Sequence, residues 1–102
     1  MKGYVLINTD IGEELNVVRT LRNLKIQSGA GYISGADLTF GPYDIVATIE
    51  AADLGELGRI VSSLIRSAPG VVETVTCVAI EVAGPAIPVS SLGAETPSIP
   101  VG

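Results

Sequence analysis

The chain has 102 residues, 47% of them hydrophobic, with eleven acids against six bases and a formal net charge of −5. That length and hydrophobic content fit one domain with a packed core. The acidic balance leaves no footprint for a nucleic-acid backbone, so any role near DNA requires another chain to touch the phosphates. Histidine is absent and Cys77 is the only cysteine. This removes the usual general base and commonest metal ligand, and rules out an internal disulfide or a thiolate zinc centre. No catalytic residue, metal ligand or cofactor motif is assigned. No segment reaches ~18 uninterrupted apolar residues, and "MKGYVLINTD" turns polar too early for a signal peptide, so a cytoplasmic protein is expected.

In chain order, residues 3–8, "GYVLIN", read as a buried strand because β-branched and aromatic residues dominate until Thr9-Asp10. Asp10 followed by Glu13 has the spacing of a capping box. An amphipathic helix then places Leu15, Val18, Leu21 and Leu24 on one stripe and Asn16, Arg19, Thr20 and Asn23 on the other. Residues 26–37 are glycine-rich, and only Tyr32-Ile33 and Leu38–Phe40 read as strand. Their G-x-G-x-x-x-G pattern follows a helix, whereas a dinucleotide loop follows a strand, so a plain connection is expected.

Gly41-Pro42-Tyr43-Asp44 then punctuates two apolar segments. Proline pre-sets φ for a turn and glycine relieves crowding, which predicts a hairpin into the alternating run "DIVATIE". Asp53, with Glu56 three residues on, caps a second helix whose apolar stripe is Leu54, Leu57, Ile60, Val61, Leu64 and Ile65. Gly55 and Gly58 each cost about 1 kcal/mol there relative to alanine, which predicts close backbone approach to the sheet or to a neighbouring subunit. Ser67-Ala68-Pro69-Gly70 ends that helix, and residues 71–82 form the longest strand-like run. Cys77 lies in this run and is expected to be a buried structural thiol.

The order strand, helix, strand, strand, helix, strand predicts an α+β, ferredoxin-like βαββαβ fold, a four-stranded antiparallel sheet with both helices on one face. The other face should then be bare. The first and fourth strands are apolar on both alternations, so a dimer formed sheet to sheet is expected. Residues 1–82 make up this unit. Residues 83–102 hold four of the six prolines and one charge, and an extended or disordered tail is expected there.

The residues in register resemble the effector-binding and oligomerisation (RAM) domain of the Lrp/AsnC transcription regulators. "YVLINTDIGEE" is similar to that family's first strand and helix cap. "FGPYDIVATIEAADLGELGRIVSSLIRSAPGVVETVT" is similar to its Gly-x-Tyr-Asp hairpin, Leu-Gly second helix, Ile-Arg-x-x-Pro-Gly-Val exit and Thr-x-Thr fourth strand. Two features depart from the pattern. The chain begins at the first strand, which suggests a stand-alone ligand domain without a helix-turn-helix. The segment before the second strand is longer and richer in glycine than the family's Pro-Gly-Val.

The resemblance implies a non-enzymatic module that binds a small effector, often an amino acid, at clefts between dimers in ring-like assemblies. Its partners would be copies of itself and full-length Lrp/AsnC regulators, with no direct nucleic acid or membrane contact. Carried over by motif, the ligand residues are Gly41, Tyr43, Asp44, Thr74 and Thr76. Asp44 suits an α-ammonium, backbone N–H groups near Gly41 suit a carboxylate, and the threonine hydroxyls donate and accept. Each residue also has a purely structural reading: Asp44 as a turn aspartate, Tyr43 as an interface aromatic, the threonines as strand formers. Arg59 and Arg66 read as solvated or ion-paired, and neither is assigned as a carboxylate clamp. The alternatives are a structural oligomer, or a small dimeric enzyme of monooxygenase type on the same fold. Amino-acid sensors of the ACT type share the topology and favour the first strand–helix turn, with which "NTDIGEE" is compatible.

Overall fold

The computed structural model describes residues 1–24 and 30–82. Its elements are β1 (Lys2–Thr9), α1 (Glu14–Asn23), β2 (Gly31–Leu38), β3 (Ile45–Ala51), α2 (Leu54–Ile60) with a π-helical continuation (Val61–Ile65), and β4 (Val71–Val78). All three strand pairings are antiparallel, and the sheet order is β2-β3-β1-β4. This is the expected βαββαβ arrangement. The tail expected over 83–102 and the start of the glycine-rich connection, residues 25–29, lie outside the described residues.

Alternation sorts the sheet into two faces, because residues in register share a side. Val5 and Ile7 stand opposite Ala47 and Ile45, and all four are fully buried. Ile49 and Ala36 join them from β3 and β2, with Val17, Val18 and Leu21 from α1 and Leu57 and Ile60 from α2. Both helices therefore cover this face. The opposite alternation carries Tyr4, Leu6, Val46, Thr48, Val75 and Cys77, and no element of the described chain covers it. Cys77 is exposed there, which corrects the expectation of a buried thiol. An apolar run fixes a strand, but which of its faces is covered depends on where the helices lie.

The helix ends differ in part from expectation. Asp10 does not cap α1: its backbone carbonyl accepts from the Glu13 N–H at 3.0 Å, and Glu13 stands at the N-cap without a side-chain cap bond. The helix thus starts later and turns Val17 inward, while Leu15 is 53% exposed. Asp53 does cap α2, its Oδ1 accepting from the Glu56 N–H at 2.8 Å. Asp53→Ala is expected to cost about 1 kcal/mol, read as a shifted urea midpoint with unchanged slope. Leu54, in the first turn, is exposed.

The second helix does not stay α-helical to Ile65. The Arg66 N–H donates to the Val61 carbonyl at 2.8 Å, five residues back, a π-type bond. Ile60, Val61 and Ile65 all remain buried across this widened turn. Gly55 and Gly58 do not face the sheet closely. A Cβ at Gly58 would have no heavy atom within 4 Å, and one at Gly55 would meet only Asp53 Oδ1, at 3.5 Å.

β2 is continuous where the sequence suggests two fragments and a loop. Its pairing shifts by one between Ile33 and Gly35, so Ser34 is an extra, bulged residue. The bulge keeps Ile33 and Ala36 on the helix face although they are three residues apart. β4 ends at Val78, short of Val82, although the Ala79 N–H still donates to the Lys2 carbonyl at 2.8 Å.

Candidate functional site

Residues 39–44 connect β2 to β3. Gly41 has φ +132, a conformation that L side chains rarely adopt. The loop is closed by Thr39, whose N–H donates to the Asp44 carbonyl at 3.0 Å and whose hydroxyl donates to the Tyr43 carbonyl at 2.8 Å. Asp44 also anchors the loop to β1. Its N–H donates to the Ile7 carbonyl at 2.9 Å. Its Oδ2 accepts from the Thr9 N–H at 2.9 Å and from the Thr9 hydroxyl at 3.3 Å. Asp44 thus performs the structural duty of a turn aspartate with one oxygen, and Oδ1 has no partner among the described residues.

An open cleft of about 460 Å³ lies beside this loop, lined by Glu14, Leu38, Thr39, Phe40, Gly41 and Asp44. Two carboxylates, from α1 and the hairpin, face an apolar wall made by Leu38 and the fully exposed Phe40. At Gly41 an added Cβ would have no heavy atom within 4 Å, so a ligand can reach the backbone unobstructed. Such a cleft suits a cationic group on a partly apolar body.

Of the five residues singled out by motif, Gly41 and Asp44 line this cleft together. Tyr43 contributes its carbonyl to the loop and does not line the cleft. Thr74 stands opposite Ile7 on β4 and lines a different cleft, of about 320 Å³, with Arg66, Val71, Val72 and Glu73. Ile7 also stands opposite Ile45, so Asp44 and Thr74 flank β1 at two strand spacings, roughly 10 Å. Thr76, opposite Val5, lines neither cleft and is exposed. Within one chain the five do not converge.

Thr9, Glu14, Leu38, Thr39 and Phe40 are the residues at this cleft and loop that motif reasoning missed. Phe40 carried a signal, since it is the only phenylalanine and stands beside a Gly-Pro turn. Thr9 and Glu14 come from β1 and α1, and only the folded topology brings them to the hairpin. Arg59 is held by Glu56 in a forked pair at 2.5–3.1 Å, and hydrogen bonding to that carboxylate raises its pKa. Among the described residues no three His, Cys, Asp or Glu side chains are placed to hold a metal ion. No described helix is long and apolar enough to cross a membrane.

The sequence model of the Lrp/AsnC ligand binding domain matches residues 30–85. The chain belongs to this family. No curated protein matches it. Solved structures carry the likeness further. A hypothetical protein of Pyrococcus horikoshii, PHS023, is 25% identical, with a TM-score of 0.66 over 78% of this chain and 89% of that one. TTHA0845 of Thermus thermophilus is also 25% identical, with a TM-score of 0.69 over 82% of this chain and 98% of its own. The transcriptional regulator NMB0573 of Neisseria meningitidis, solved as an L-Met complex, shares the fold at 13% identity and a TM-score of 0.61. The Lrp/AsnC chain described here spans 58% of that regulator. The hairpin loop 39–44 and β4 of this chain both lie within the residues that the family model matches.

Proposed function

We propose that this Lrp/AsnC domain is a non-enzymatic sensor that binds an amino acid at the Gly41–Asp44 hairpin and assembles with copies of itself to regulate transcription indirectly. The observation that carries this reading is the Oδ1 of Asp44, without a partner among the described residues, in a cleft that also holds Glu14 and an apolar wall. An α-ammonium pairs with Asp44, with Glu14 adding negative potential. An apolar side chain lies on Phe40 and Leu38. Among the described residues no basic side chain lines the cleft, so the α-carboxylate falls to backbone N–H groups near Gly41 or to a second copy. Tyr43, Thr74 and Thr76 join the site only across such a seam between copies. The amino acid bound by NMB0573 supports this ligand class by analogy of fold. The apolar sheet face, closed by a second copy, supplies the assembly, and full-length relatives supply the contact with DNA. Residues 1–82 act as the binding unit.

A thermal-shift screen of the full chain against the twenty amino acids tests this. A ligand at 100 times its dissociation constant adds about 2.7 kcal/mol, which raises Tm by roughly 10 °C or more in a domain of this size. Asp44→Asn removes the charge but keeps an oxygen for Thr9, so it should abolish the shift while leaving the unliganded Tm within a few degrees. A shift that survives Asp44→Asn would place the ligand elsewhere. No shift with any of the twenty would sink the amino-acid reading.

A further inference from the structure

The hairpin cleft is unbalanced in charge. Two carboxylates line it, Glu14 from the first turn of α1 and Asp44 from the hairpin, and among the described residues no basic side chain does. The neighbouring acids are already engaged. Glu13 Oε1 accepts from Asn16 Nδ2 at 3.3 Å, and Asp37 Oδ1 lies 3.6 Å from Arg22 Nη2. Glu14 has no hydrogen-bond or ion-pair partner for its carboxylate among the described residues, and Asp44 Oδ1 has none either. The helix dipole accounts for an acid in the first turn. It does not account for that acid sharing a cleft with Asp44 and an apolar wall.

Counting charge narrows what fits. A neutral amino acid brings one ammonium and one carboxylate. Paired with Asp44, it leaves Glu14 uncompensated and carries its own carboxylate into negative potential. A ligand with a second ammonium neutralises both side chains. The methylenes between the two ammonium groups then lie on Leu38 and Phe40, which are half-exposed and fully exposed, as apolar stems do beneath a charged head. A cleft of about 460 Å³ is within the range of small-molecule sites.

We infer that the cleft selects a linear dication, two ammonium groups joined by a short methylene chain, and that Glu14 sets this specificity by pairing with the second ammonium. The inference rests on the binding proposed above for this hairpin and names its ligand class. Two sources supply the same chemistry. One is an amino acid with an ammonium at the end of its side chain, whose carboxylate meets the backbone near Gly41. The other is a diamine, which has no carboxylate to place. In both, Asp44 takes one ammonium and Glu14 the other.

Titration of the full chain with four compounds decides it. L-Lysine and L-norleucine share a carbon skeleton and differ in the terminal ammonium, and cadaverine and n-pentylamine repeat that difference without the carboxylate. In whichever pair binds, the compound with the second ammonium should bind at least about tenfold more tightly, the worth of one charge-assisted hydrogen bond. That gap should narrow as salt rises and close in Glu14→Gln. Lysine binding more tightly than cadaverine would assign the amino-acid source, and the reverse order the diamine. Norleucine binding as tightly as lysine would overturn the inference and leave the amino-acid reading standing. So would a lysine advantage that survives Glu14→Gln. Cadaverine binding with no response to any amino acid would do the opposite, sinking the amino-acid reading and keeping the dication. Binding by none of the four would overturn the inference, and the screen of twenty amino acids would then decide the broader reading alone.

Discussion

Ile7→Ala is expected to lower the unfolding free energy by about 2–5 kcal/mol, while Leu6→Ala, one residue away, costs under about 1 kcal/mol in dilute protein. Ile7 is fully buried and stands opposite Ile45 and Thr74. Truncation leaves a cavity in a core that, among the described residues, two short helices cover. Small domains have total stabilities of about 5–15 kcal/mol, so the loss removes a large share. Leu6 points to the open face and is only half-buried. Urea unfolding at fixed protein concentration measures both. Repeating the series over a hundredfold concentration range then examines the open face. If a second copy covers it, folding is linked to association and the Leu6→Ala penalty grows with concentration. A penalty independent of concentration would count against association through this face. An Ile7→Ala loss below about 1 kcal/mol would mean that β1 does not present this residue to the core.

The order of the six elements was legible because β3 alternates with a period of two, β1 and β4 are apolar runs rich in β-branched residues, and the helices carry a period of about 3.6. β2 was not, because the bulge at Ser34 breaks its period: Ile33 and Ala36 share a face three residues apart. α1 was legible as a helix but rotated by the late start at Glu14, which exchanges Leu15 for Val17 in the core. Cys77 was misjudged because burial on a sheet belongs to whatever packs above it, and a strand's composition holds no record of that. The hairpin was legible as turn chemistry, down to the aspartate that satisfies local donors. Its cleft was not, since Glu14 is thirty residues from Asp44 and the two meet only through the fold. The clustering of Gly41 and Asp44 followed from four consecutive residues. The separation of Thr74 and Thr76 from them required the sheet order.

Gly31→Ala and Gly35→Ala, drawn from the same glycine-rich stretch, are expected to differ in sign. A Cβ on Gly31 would lie 2.8 Å from Ile60 Cδ1, 2.9 Å from the Glu50 carbonyl oxygen and 3.1 Å from Ala51 Cα. The isoleucine methyl can rotate away, but the two β3 backbone atoms cannot. Relief requires β2 or β3 to shift, at a cost of about 1–3 kcal/mol. Close approach of helix to sheet therefore does occur in this fold, at a strand glycine under Ile60 rather than at the helix glycines Gly55 and Gly58. Gly35 has no heavy atom within 4 Å of a built Cβ and no positive φ. Alanine fits there and restricts the unfolded chain, so a gain of about 0.4–1 kcal/mol is expected. Paired thermal melts of the two variants make the comparison. Because Gly35 pairs with Thr48 on the open face, the experiment also reports on what meets that face. A Gly35→Ala variant that is stabilised when dilute and destabilised when concentrated would place the backbone of a second copy directly against β2. A loss for Gly35→Ala equal to that for Gly31→Ala at every concentration would instead mean that the bulge needs glycine for its own conformation.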